Sequence, residues 1–278
     1  MSGSSRNPRG IGWPVLVLAI IVAAAVAGLA VYAFTRPDNG TQLAESTASG
    51  SPSNSATEVN GEEAGASASS GTPDRGKGAT LWGPGVELSQ LSEAAQVHRR
   101  LDGDPFASGR VDAPVVMSEF SDFECPFCAR HANEVEPQLR KLVDEGTLRI
   151  EWNDFPVNGD AATAAAKAGR AAAEQGKFEQ FKRELYSASK DVAGHPNYGI
   201  EDFVRFAKQA GVADLERFRA DATSNKYDQA IAHARDYASQ IGISGTPAFI
   251  VGGQFISGAQ PVEVFLKAIE EEAAAARP

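Results

Sequence analysis

Cysteine is the scarcest chemically useful residue in this 278-residue chain, which holds two of them, Cys125 and Cys128, and no second pair. A metal site built from two Cys-x-x-Cys elements is therefore excluded. No glycine-rich phosphate loop and no dinucleotide fingerprint occurs, so no nucleotide-phosphate site is expected. Basic residues number 26 against 36 acidic ones, a net charge of −10, which argues against general nucleic-acid binding. Charge is missing altogether from residues 11–34, and large apolar side chains are nearly missing from residues 35–80.

The last two absences divide the chain. Residues 1–10 are polar and carry Arg6 and Arg9 without an acid. The uncharged run 11–34 that follows would span about 35 Å as a helix, enough to cross a hydrocarbon core of about 30 Å. Arginines before the run and an acidic chain after it orient it with a cytoplasmic N-terminus and an exported C-terminus. A cleaved signal peptide is the competing reading, but its apolar core is normally about 7–15 residues, so a retained transmembrane signal anchor is expected. Residues 35–80, rich in Ser, Ala, Gly and Thr, cannot bury enough surface to offset the entropy of ordering and read as a disordered linker. Residues 81–103 form a partly amphipathic stretch, expected as a short helix on the domain, with Arg99 and Arg100 on a solvated face.

The domain proper, 104–278, is organised around the stretch from Pro114 to His131. Val115 to Phe120 reads as a buried strand that delivers Cys125-Pro126-Phe127-Cys128 to a helix start. At that position unpaired N–H groups and the helix dipole stabilise a thiolate. Pro126 suits the first helical position, and Cys128, Ala132, Val135, Leu139 and Leu142 keep one face, so Cys128 points inward while Cys125 stays open to attack. Pro137 is expected to kink this helix. An exposed low-pKa thiol beside a shielded one is what thiol–disulfide exchange requires. Two other readings use the same residues. A structural disulfide would close too short a loop to stabilise much, and a metal cluster of Cys125, Cys128 and His131 lacks a fourth ligand.

Glu119-Phe-Ser-Asp-Phe-Glu-Cys-Pro-Phe-Cys128, with Gly242-Ile-Ser-Gly-Thr-Pro-Ala-Phe-Ile250 and Gly252-Gly-Gln-Phe-Ile-Ser-Gly258 far downstream, resembles the DsbA family of thiol-disulfide oxidoreductases. The resemblance covers about residues 104–275. It implies an α/β thioredoxin fold with an inserted helical subdomain, here about residues 160–241. It also implies a cis Pro247 against the cysteine pair with Thr246 beside it, and an acid at Glu119 that serves Cys128. Exported proteins with free thiols would be the substrates, and a membrane partner of DsbB or vitamin K epoxide reductase-like type would reoxidise the pair. No cofactor is implied. The departure is Phe127, where the best-known oxidising members have His. Phe carries no charge to stabilise the thiolate, so a weaker oxidant is expected.

The remaining pattern is regular. Leu148 to Asp154 reads as a strand, Asp160 as the cap of an alanine-rich helix, and four further helices follow before a hairpin at Gly252-Gly253 and a last helix from Pro261. Glu124 is expected at the surface, and His195 and His233 as ordinary residues apart from the cysteines. A buried Glu119 would have a raised pKa and could move protons to or from Cys128. The alternatives to an oxidase are a reductase or isomerase of the same fold, and a non-enzymatic module that binds Cu(I) through the two thiolates.

Overall fold

The computed structural model describes residues 75–84, 89 and 91–277, all within the unit Ser67–Pro278. The expected transmembrane run 11–34 and most of the linker lie outside these residues. Among the described residues no helix is long and apolar enough to cross a membrane.

The central strand β2, Val115–Ser121, is buried at every position. It pairs in parallel with β3, Leu148–Asp154, and antiparallel with β4, Ala248–Val251. The short β1, Ala107–Ser108, and β5, Gln254–Ser257, complete a sheet of order β1-β3-β2-β4-β5. β4 and β5 form the expected hairpin, with Gly252 at φ 55° in a conformation that suits glycine. Between β3 and β4 run α3 (Gly159–Ala173), α4 (Phe178–Ser189), α5 (Ile200–Gln209), α6 (Leu215–Thr223) and α7 (Asp228–Gln240). The sheet is thus mixed, with a helical insertion, and α8, Val262–Ala275, closes the chain.

Because β3 is buried throughout yet reads Leu-Arg-Ile-Glu-Trp-Asn-Asp, its charges must be paired inside the protein. Side chains alternate across the strands. One face presents Val115, Met117, Leu148 and Ile150 to Val135, Leu139, Val143, Phe265 and Ile269. The other presents Ser118, Arg149, Glu151 and Asn153, and the N-terminal arm covers it.

That arm departs from expectation. Residues 75–80, assigned to the linker, pack on the domain, with Ala79 buried. Among the described residues of 81–103 no amphipathic helix forms; the 3-10 turn Ala94–Val97 lies there, with another, Gly78–Thr80, just before it. Nor is Arg99 on a solvated face. It is buried and donates to Asp104 (2.7 Å), Asn153 (2.6 Å) and the Trp152 carbonyl (2.9 Å), while the backbone N–H groups of Arg99 and Arg100 both donate to Glu151. The arm is attached by paired charge instead of an apolar stripe, so a helical pattern was the wrong signal to seek.

Two helix details also differ. The active-site helix is not simply kinked at Pro137. It runs as α1, Pro126–Arg130, widens into a π turn, His131–Val135, and resumes as α2, Glu136–Asp144. Proline has no N–H and its ring crowds the preceding turn, and a π turn accommodates this by taking in an extra residue. Asp160 is not the cap of α3. Asn158 occupies that position, its side chain donating to Asp122, while Asp160 lies in the first turn, where its charge suits the helix dipole.

Candidate active site

Asp122 builds the entrance. One carboxylate oxygen accepts from the Glu124 N–H (2.8 Å), and the other accepts from the Val157 N–H, the Asn158 N–H and the Asn158 side chain. The Cys125 N–H donates to the Asp122 carbonyl (3.0 Å), closing a turn that ends at α1. An aspartate before a turn is the signal that would have found it.

Cys125 sits at the helix N-cap with extended backbone, and Pro126 takes the first helical position. Its S–H donates to the Thr246 carbonyl (3.4 Å), and the Thr246–Pro247 peptide bond is cis. Cys125, Cys128, Thr246 and Pro247 are therefore brought together from segments about 120 residues apart, as the Cys125–Thr246 bond spans. Both thiols are free. Cys128 is 0% exposed and Cys125 6%, so the outer thiol is more covered than expected.

The two sulfurs are set apart electrostatically. A hydrogen bond from the Cys128 thiol, then the Thr246 side chain and the N–H groups of Cys128 and Phe127, outweigh burial and lower the Cys125 pKa to about 6. Burial pushes Cys128 well up, and the neighbouring Cys125 adds to this.

Glu119 is 0% exposed, and neither carboxyl oxygen has a hydrogen-bond partner of good geometry. Burial raises its pKa to about 7, opposed by the charge of Lys182 and reinforced by Glu136. The Ser121 hydroxyl lies close enough to favour both the Glu119 carboxylate and the Cys128 thiolate. It also meets the Tyr186 hydroxyl at 3.3 Å, which in turn donates to the Asp122 carbonyl. Lys182, from the insertion, is buried and binds both oxygens of Glu136 at 3.0 Å. Burial works against its charge, but Glu136, Glu179 and Glu119 hold its pKa above the ordinary value. The apolar stripe of α4, Phe178, Phe181, Leu185 and Tyr186, is core.

His131 is not joined with the cysteines as a ligand set. Its ring packs 4.3 Å from Phe249 and 5.0 Å from Phe265, both nitrogens lack partners, and burial, then Lys182, push its pKa down to about 3. Among the described residues no group of three or more His, Cys, Asp or Glu is placed to hold a metal.

Two expectations near the pair are overturned. Glu124 is 1% exposed, because the loop before α5 covers it: the Asn197 N–H donates to its side chain (2.7 Å). His195 is not remote, since its Nδ1 lies 2.8 Å from the Glu124 carbonyl. Phe127, by contrast, is 54% exposed, with the Arg130 guanidinium 5.2 Å above its ring.

A family model described as thioredoxin matches residues 102–271. The chain belongs to the thioredoxin family. Within it the chain is a DsbA-like thioredoxin-fold protein. It is 34% identical over 172 residues to the Na(+)/H(+) antiporter NhaA 3 of Salinispora tropica, a match of 61% of this chain that spans only 25% of that relative's length. It is 29% identical over 169 residues to the probable disulfide bond formation protein D of Bacillus cereus, covering 59% of this chain and 76% of that protein. The fold matches that of oxidised BdbD from Bacillus subtilis with a TM-score of 0.57 at 21% identity, over 62% of this chain and 94% of that one.

Proposed function

We propose that this thioredoxin-family protein is a thiol-disulfide oxidoreductase that forms disulfides in exported polypeptides. The observation that carries this is the asymmetric pair: Cys125 at a helix N-cap with a lowered pKa, against a wholly buried Cys128 with a raised one, beside a cis Pro247. The lowered pKa makes Cys125 the better leaving group and the natural member of a mixed disulfide.

In the forward direction a substrate thiolate attacks Cys125 in the Cys125–Cys128 disulfide, forming a mixed disulfide and expelling the Cys128 thiolate. A second substrate thiolate then attacks the substrate sulfur, releasing the substrate disulfide and the Cys125 thiolate. Two electrons pass from the two substrate thiols to the cysteine pair. The Cys128 thiolate is unstable in its buried site and takes up a proton, for which Glu119, with a pKa near neutrality, is the suited donor. In the reverse direction the same groups reduce or isomerise disulfides, and the Cys125 pKa of about 6 supports a moderate oxidant, since a strong one is expected near about 3.5.

A location outside the cytoplasm suits this chemistry, with residues 11–34 as anchor, the linker after them as tether, and a DsbB-like or vitamin K epoxide reductase-like membrane partner accepting the two electrons and restoring the Cys125–Cys128 disulfide. The test is oxidation of a peptide dithiol by the oxidised, metal-free protein. Turnover that disappears in Cys125→Ser supports the proposal, and stoichiometric copper binding without turnover would replace it with the metal-carrying module.

A further inference from the structure

The two carboxylates that flank buried Phe123 do matching work. Asp122 ties down the loop at Val157 and Asn158, and Glu124 ties down the loop that ends at Gly199. Glu124 is adjacent to the nucleophile, yet it is among the most buried of the described charged residues. Its carbonyl meets the His195 ring and its Oε2 receives the Asn197 N–H. Residues 191–195 are exposed, and the loop's other hydrogen bonds among those described are local, from Val192 to Ser189, from Gly199 to Asp202 and from Phe203 to Gly199. Asn197 has φ 53°, a left-handed conformation that a non-glycine residue adopts at some cost and that its contact with Glu124 helps to hold. The second oxygen, Oε1, is buried with no donor. An unmet buried acceptor is unfavourable, so Glu124 holds the loop at some cost, while the Tyr198 ring packs 5.1 Å from Phe206 at the loop's far end.

We propose that Glu124 is a positioning residue that holds the 191–199 loop beside Cys125 as one wall of the substrate cleft, and that His195 on this wall contacts the polypeptide entering the mixed disulfide. The inference rests on the exchange reaction proposed above and names what selects its substrate: a chain long enough to reach past the nucleophile to the insertion. A small dithiol does not touch the wall.

The experiment compares oxidation of reduced, unfolded ribonuclease A with that of dithiothreitol by the full-length protein in detergent, with glutathione disulfide as the terminal oxidant, together with amide hydrogen exchange. Glu124→Ala, which removes one hydrogen bond to a carboxylate, is expected to raise KM for ribonuclease about tenfold, and His195→Ala, at an exposed position, about threefold. The loss falls on KM for the protein substrate and exceeds any loss with dithiothreitol. Exchange at residues 191–199 accelerates in Glu124→Ala, and Glu124→Gln, which keeps an acceptor oxygen, recovers most of both effects. Faster loop exchange with KM unchanged in both alanine variants overturns the substrate contact. Unchanged loop exchange overturns the positioning role. A wild-type protein inert toward both thiols overturns the exchange reaction itself and the substrate contact with it, while the exchange measurement still decides whether Glu124 holds the loop.

Discussion

Two buried glutamates on neighbouring strands behave in opposite ways. Glu151, on β3, faces the N-terminal arm and accepts from Arg149 and from the backbone N–H groups of Arg99 and Arg100. Glu119, on β2, faces the active-site helix and accepts from nothing with good geometry. Both are 0% exposed. Burial drives both pKa values upward, but at Glu151 the charge of Arg99, the Arg149 hydrogen bond and the two N–H groups overcome it and the pKa is lowered, whereas at Glu119 burial wins and the value reaches about 7. Depth alone does not distinguish a structural carboxylate from a chemical one; the count of donors does.

The largest effect should come from breaking the satisfied side. Glu151→Gln leaves the Arg149 guanidinium buried without its carboxylate, and urea unfolding at pH 7 should show a loss of about 3–5 kcal/mol. Because the folded pKa of Glu151 is depressed, its contribution is present above the unfolded value and fades as pH falls through the folded one.

Glu119→Gln should do the reverse. The folded pKa is raised from 4.5 to about 7, so the ionised group costs stability increasingly as pH rises between those values. Urea unfolding should show a gain on the order of 2–3 kcal/mol at pH 8 and none near pH 4, while the reaction that protonates Cys128 slows. A destabilised variant at pH 8 would mean that Glu119 is held by a partner after all.

The smallest effect concerns His131 on the same face. Its folded pKa lies below the ordinary value, so the neutral ring is favoured and stability is lost as pH falls below about 6.5. His131→Leu should remove that acid sensitivity and add about 1 kcal/mol at neutral pH by eliminating two unsatisfied nitrogens. Retained acid sensitivity would assign the effect to another group.

The contrast also explains what could be read in advance. The cysteine pair and its helix are local patterns with local causes, the strands around them follow from apolar runs, and Thr246 and Pro247, 121 residues from Cys125 in the case of Thr246, were placed beside it by family resemblance. What escaped were charged residues whose partners lie on a distant segment. Arg99 is buried because Asn153 and Trp152 receive it, 54 and 53 residues away. Glu124 is buried because Asn197 covers it from 73 residues away. Charged residues in a sequence look solvated until their partners are known, and periodicity carries no information about partners. Asp122 is a middle case, since its turn is local but its grip on Asn158 is not.

The π turn at His131–Val135 lets the cysteine end of the helix absorb a change of length. A π turn closes over one residue more than an α turn, so deleting one residue there would restore α geometry and leave Cys128 near its present phase relative to α2, whereas the same deletion inside Glu136–Asp144 would swing it by about 100° and carry its sulfur away from Ser121. Deletions that homologous chains tolerate in this helix should therefore fall within these five residues, a slack in backbone count that side-chain identity does not show.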